Sequence, residues 1–314
     1  MTELADLILV SGRAAVELAL FILLPIMIVM LTLMRLLEAR GVLDRIVDLI
    51  SPWLHPLGVP GLGVIALLQV LFVSFAAPMA TLTMMDKGGL SRRHIAATLA
   101  LVFGAAQANV VFPMSAMGLN GPLTLLISSF AALAGAAATY HWFTRDLPEE
   151  TEPPQPKPKH REASDTKGVL DVVNHAGGEA FGITISALPM LVLSLLLVNI
   201  LRQTGVVGGL ETLTAPFFGW LDLPSSVALP IITKAIAGGT AMMGVSADLL
   251  QQGLLSSTDL NRIAGMLVHP FDVAGIAILV SAGPRVAAVL RPAIYGALIA
   301  IGIRTLIHLI VWQG

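Results

Sequence analysis

Eight apolar runs of about twenty residues, at 14–34, 62–85, 95–117, 122–143, 183–201, 226–252, 263–281 and 292–312, dominate this 314-residue chain. A helix needs about 20 predominantly apolar residues to cross a bilayer, and a soluble globule of this length cannot hide so many apolar side chains. Hydrophobic residues make up 56% of the sequence and charged residues only 12%, about half the charged share of soluble domains. The solvent for most of the chain is lipid. The first run exceeds the 7–15 apolar residues of a signal-peptide core and is expected to be retained as a crossing.

Several chemistries are excluded by what the sequence lacks. With no cysteine there is no disulfide, thiolate metal site or cysteine nucleophile. The seven histidines form no HExxH pattern and no GxxxxGK[ST] occurs, so neither a catalytic metal nor a P-loop is expected. No nucleophile, base and oxyanion constellation is visible, and no catalytic residue or cofactor is assigned. The net charge of −2, with no basic stripe, argues against nucleic acid as a partner.

The composition breaks once. Residues 146–168, DLPEETEPPQPKPKHREASDTKG, are rich in proline and charge, as a disordered linker is. They divide the chain into repeats at 1–145 and 169–314. A shift of 164 aligns 24–60 with 188–224 without a gap and with 11 of 37 positions identical, among them Pro25/Pro189, Gly41/Gly205, Pro52/Pro216 and Pro60/Pro224. Matched helix breakers at one offset indicate duplication. In each half a proline-containing helix comes first. A segment at 42–57 or 206–221 follows; in the first, Val42, Ile46, Leu49, Ile50, Trp53 and Leu57 lie opposite Asp44, Arg45 and Asp48, the pattern of an interfacial helix.

The next run of each half is broken, at Phe75-Ala76-Ala77-Pro78 and at Ala237-Gly238-Gly239. Each is either one broken span or a re-entrant hairpin, and charge favours the hairpin. With three crossings per half, thirteen Lys and Arg fall on one side and four on the other, with Lys234 inside a hairpin; the excess marks the cytoplasmic side. Three crossings invert the second half relative to the first. The expected fold is an all-α polytopic membrane bundle of two inverted repeats, each with three crossings, an interfacial amphipathic helix and a re-entrant broken-helix hairpin. Both termini would lie outside a bacterial inner membrane and the linker in the cytoplasm.

Broken backbone at membrane depth survives only in protein or beside a wet cavity, so the breaks mark the candidate site. Pro78 opens one hairpin arm; Gly238, Gly239 and Thr240 form the other tip. Gln107 and Asn109 sit mid-run in the next helix, either as interhelical glue or as orienting hydrogen-bond partners. Asp272 lies mid-run in the matching helix, where a carboxylate is expensive unless paired, and Lys234 is its natural partner, as a structural bridge or as a solute and proton site. His269, three residues from Asp272 and hence on the same helical face, could relay a proton or cap a buried hydrogen bond. Glu17 and Arg304 receive no role. The small-residue run Ala131, Ala132, Gly135, Ala136, Thr139 is read as tight helix packing.

The stretches VSFAAPMATLTMM, PIITKAIAGGTAMMGVSADLLQQGLLS and IAGMLVHPFDVAGIAILVSAG resemble the Gate, or nucleoside-recognition, module of spore maturation proteins A and B, of ferrous iron transporters and of relatives of concentrative nucleoside transporters. The resemblance covers nearly all of both halves. It implies that Lys234 takes a basic hairpin position, Gly238 and Gly239 the hairpin glycines, and Asp272 the polar region of the following helix. It also implies a secondary transporter or channel for a small polar or anionic solute such as a nucleoside. Expected partners are the bilayer and that solute, with self-association possible. The alternative is a non-transporting scaffold or subunit of a larger membrane complex.

Overall fold

A computed structural model describes residues 2–147 and 168–313; nearly all of the 146–168 linker lies outside them. Among the described residues every regular element is helical. The first long helix comprises α1 (Thr2–Glu17) and α2 (Leu24–Ala39), joined by a π-helical turn at Leu18–Leu23. That turn immediately precedes Pro25, where the ring denies the backbone a donor and a wider turn relieves it. The long helix packs antiparallel on α9 (Val169–Gln203). Asn199 Nδ2 donates to Ser11 Oγ at 3.0 Å near one end, and Arg35 Nη2 to Glu179 Oε2 at 3.0 Å near the other. The helix runs through Pro189 without interruption.

After each long helix a glycine in the left-handed region, Gly41 (φ 65°) or Gly205 (φ 76°), turns the chain into α3 (Val42–Leu54) or α10 (Val206–Trp220). The same backbone requirement explains why this glycine is repeated. Leu49 and Trp53 of α3, and Leu213 and Trp220 of α10, face outward, as helices lying in a membrane interface would present them.

The hairpins are settled by contacts across their arms. In the first, α4 (Gly61–Phe72) and α5 (Pro78–Lys87) pack together, with Thr81 Oγ1 donating to Gln69 Oε1 at 2.8 Å. In the second, α11 (Ala228–Gln251) would be about 36 Å long if straight. Yet Ser226 Oγ, just before it, donates to the carbonyl of Leu254, just after it, at 2.6 Å. The helix therefore doubles back, at Gly238, whose φ of 83° and ψ of −178° are non-helical. Glycine alone adopts that backbone readily.

Two further broken helices follow the hairpins: α6 (Arg92–Gly104) with α7 (Ala108–Ala116), and α12 (Ser257–Leu267) with α13 (Val273–Val280). They run antiparallel. Near the start of α12, Asn261 Nδ2 donates to Gly118 O at 2.8 Å and Asn261 Oδ1 accepts from Asn120 N at 2.7 Å. Past the end of α13, Ala282 O accepts from Thr83 of the first hairpin at 3.0 Å, and Asp86 Oδ1 accepts from Arg285 N at 2.8 Å. The open end of the first hairpin thus lies at the start of α6 and that of the second at the start of α12, on opposite sides. Each half has three crossings: the long helix, the broken helix, and α8 (Gly121–Ala138) or α15 (Leu290–Val311). The short α14 (Pro284–Ala288) precedes α15. The protein is a multi-pass, all-helical membrane bundle of inverted repeats.

Small residues set the approach of α8 to α15. Ala131, Ala132 and Ala136 are fully buried, and a side chain on Gly135 would strike the Gly296 backbone. Close backbone approach replaces the hydrophobic drive that lipid cannot supply.

Candidate functional site

The two broken helices cross at their breaks and satisfy each other. Ala105 and Gln107 are extended; Gln107 N donates to Val268 O at 2.8 Å and Gln107 Nε2 to His269 O at 3.0 Å. Helix interruptions in lipid leave carbonyls without donors, and Gln107 supplies two of the missing donors across the repeat boundary. His269 and Asp272 lie in this irregular stretch rather than on one helical face, so the three-residue spacing between them has no helical meaning here.

Asp272 is the N-cap of α13: its Oδ1 accepts from Gly275 N at 2.8 Å. Its Oδ2 accepts from Lys234 Nζ in an ion pair whose side chains are 1% and 6% exposed. Lys234 belongs to the first arm of the second hairpin, one turn before the Gly238 tip. A β-carbon on Gly238 would sit 3.7 Å from the Asp272 carboxylate, and one on Gly239 would be 2.9 Å from Gln107 Nε2. The first hairpin tip docks on the same helix start, with Phe75 N donating to Asn109 Oδ1 at 3.4 Å. Both tips therefore converge on the first turn of α7. Lys234, Gly238, Gly239, Gln107, His269 and Asp272 form one buried cluster; Asn109 holds the first tip. Pro78 is the first residue of α5, and Thr240 is half-buried just past the second tip.

Arg304, given no role from sequence, is central. It is fully buried on α15. Its Nε and Nη2 donate to Gly265 O at 3.0 and 2.8 Å, and its Nη1 to Gly104 O at 2.7 Å. Those carbonyls belong to the C-terminal turns of α12 and α6, where helices carry partial negative charge. Among the described residues Arg304 meets no carboxylate. One guanidinium thus caps the broken helix of each repeat, using the fork that lysine lacks.

A cavity of about 710 Å³ lies between the first hairpin and the α2–α9 pair, within the range of small-molecule sites. Gln69, Ser74 and Thr81 bring polar atoms from the hairpin, and the Arg35–Glu179 pair forms the opposite wall. Sequence reasoning missed this wall. Its signals were the polar residues at 69 and 81 in otherwise apolar arms, and complementary charges on the first long helix of each half.

Residues 20–150 match the Gate family, described as nucleoside recognition. No curated protein sequence matches the chain significantly. Among solved structures, a doubly substituted CNTnw in an outward-facing state aligns with a TM-score of 0.69 at 17% identity, covering 100% of this chain and 84% of that one. CNTnw in an inward-facing substrate-bound state gives 0.65 at 18%, covering 99% and 83%. A variant in an intermediate state gives 0.67 at 20%, covering 94% and 76%. CNTnw is a concentrative nucleoside transporter. The chain shares its fold, with the Gate match confined to the first repeat.

Proposed function

We propose that this protein is a secondary transporter of a bacterial plasma membrane that carries a nucleoside or a polar solute of similar size. The observation that carries this reading is the 710 Å³ cavity wedged between a re-entrant Gate hairpin and the α2–α9 pair. A broken hairpin beside a cavity is where transporters place their solutes. Gln69, Ser74 and Thr81 would meet the solute's hydrogen-bonding edge. The cavity's ion pair carries no net charge, which suits a neutral polar solute better than an anion. Pro78 and Asn109 position the first tip, while Gln107, Lys234, Gly238, Gly239, Thr240, His269 and Asp272 build the support for the second. The excess of Lys and Arg on one side supports a cytoplasmic linker and external termini. Self-association through the exposed apolar faces of α1 and α9 is compatible with this arrangement.

Uptake of radiolabelled uridine and adenosine into proteoliposomes, under imposed sodium or proton gradients, tests the proposal. Saturable uptake is expected, falling at least about tenfold in the Gln69→Ala/Ser74→Ala variant as two polar groups lining the cavity are removed. Uptake no greater than into protein-free vesicles for every nucleoside and nucleobase, under every gradient, overturns it.

A further inference from the structure

The two hairpin tips are chemically unequal. Among the described residues, the first is held by one long hydrogen bond from Phe75 N to Asn109 Oδ1, with no charge at the contact. The second closes on a buried carboxylate. At that tip the C-terminal end of one helical arm adjoins the N-terminal end of the next, so their opposite partial charges offset each other. Asp272 keeps a net charge that its cap bond from Gly275 N at the start of α13 offsets only in part, and a buried carboxylate must be neutralised by a cation or by a proton. Arg304 is engaged with the Gly104 and Gly265 carbonyls. The cation present is the Lys234 ammonium, 1% exposed and paired with Asp272 Oδ2. The tip packs tightly around it: Gly238 lies against the carboxylate and Gly239 against Gln107 and Val110.

We propose that the Lys234 ammonium is the resident cation of the second hairpin tip, so that this tip closes on α13 without an exchangeable ion. A membrane protein that neutralises a buried carboxylate with an ion from solution makes closure depend on that ion. Here the ion is covalently attached four residues before the turn. Its concentration is fixed, and any ion coupling of transport must act elsewhere in the molecule. Closure of the tip is thereby independent of which solute the protein carries.

The natural absence of cysteine permits a direct test on purified full-length protein in detergent. Ala241, fully buried in the second arm just past the tip, is replaced by Ala241→Cys as the only thiol, and its rate of reaction with N-ethylmaleimide reports opening of the hairpin. With Lys234 intact, the rate is expected to be the same in sodium, potassium and choline chlorides at one ionic strength. Adding Lys234→Ala leaves Asp272 unpaired and is expected to raise the rate at least about tenfold. Propylammonium, which matches the missing atoms and charge, should bring it back toward the parent rate, and choline, which has no N–H donor, should not.

Slowing of the parent by sodium would show that the tip takes an exchangeable ion and would overturn the proposal. So would a Lys234→Ala rate equal to the parent's, or a raised rate indifferent to propylammonium. If Lys234→Ala does not fold, the neutral pair Lys234→Met/Asp272→Asn replaces it. That variant is expected to fold and to label at the parent rate in every salt, and failure on either count also overturns the proposal.

Discussion

Replacing Arg304 with methionine isolates the cost of the shared helix cap. The substitution keeps an unbranched apolar stem and deletes the guanidinium, leaving Gly265 O and Gly104 O without the donors now at 2.8 and 2.7 Å. Each buried unpaired carbonyl costs about 1–3 kcal/mol, giving roughly 2–6 kcal/mol, and relief of burying a charge offsets part of this. A net loss of about 3 kcal/mol corresponds to a fall in melting temperature of roughly 4–5 °C for a protein of this size. The assay is thermal unfolding of purified protein in a mild detergent. Arg304→Lys provides the internal comparison, since a compact ammonium on a shorter reach serves one of the two carbonyls; it should lose about half as much. A methionine variant that melts with the wild type would refute the capping argument. A lysine variant as damaged as methionine would show that the fork geometry, and not the count of satisfied carbonyls, is what matters.

Two further outcomes test the architecture. Ser226→Cys with Leu254→Cys should cross-link spontaneously under mild oxidation, because the hairpin brings these positions together; a straight helix would hold them about 40 Å apart, and no mobility shift on non-reducing gels would rule the hairpin out. Gly135→Val should destabilise the bundle by at least about 1–3 kcal/mol through overpacking against Gly296 and Ala300, while Gly302→Ala, in the interior of α15 with nothing within 4 Å, should hold or slightly raise the melting temperature, alanine being the better helix former; equal melting of the two would dismiss close packing of α8 on α15.

The two hairpin breaks and the turns into α3 and α10 were legible in the sequence because their residue types have few alternatives in lipid, whereas the breaks within the crossings, at 105–107 and 268–272, were not, because extended backbone there leaves the apolar run unbroken. Gly41 and Gly205 repeat at one offset since both must adopt positive φ, and Pro60 and Pro224 because both stand extended at the entry to a hairpin. The Lys234–Asp272 pair was legible for an energetic reason: each charge in an apolar run calls for a partner. The same reasoning fell short at Arg304, because its partners are backbone carbonyls, which every residue carries and no side-chain pattern reveals. The cavity escaped for another reason. Its walls come from α2, the first hairpin and α9, segments up to 149 residues apart (Met34 to Ile183), and periodicity along one helix says nothing about which helix faces it. The π-helical turn before Pro25, absent at Pro189, shows that duplicated sequence need not relax to identical backbone.

The cross-repeat caps bear on how such a chain could arise. Arg304 and Asn261 lie in the second repeat but complete helix ends and loops of the first, while Gln107 of the first completes the break of the second. A lone half-length ancestor would have carried raw carbonyls into lipid on every exposed break. It would have been viable only as an antiparallel pair inserted in both orientations. Joining the two copies through a hydrophilic tether removes the need to make two topologies from one gene product.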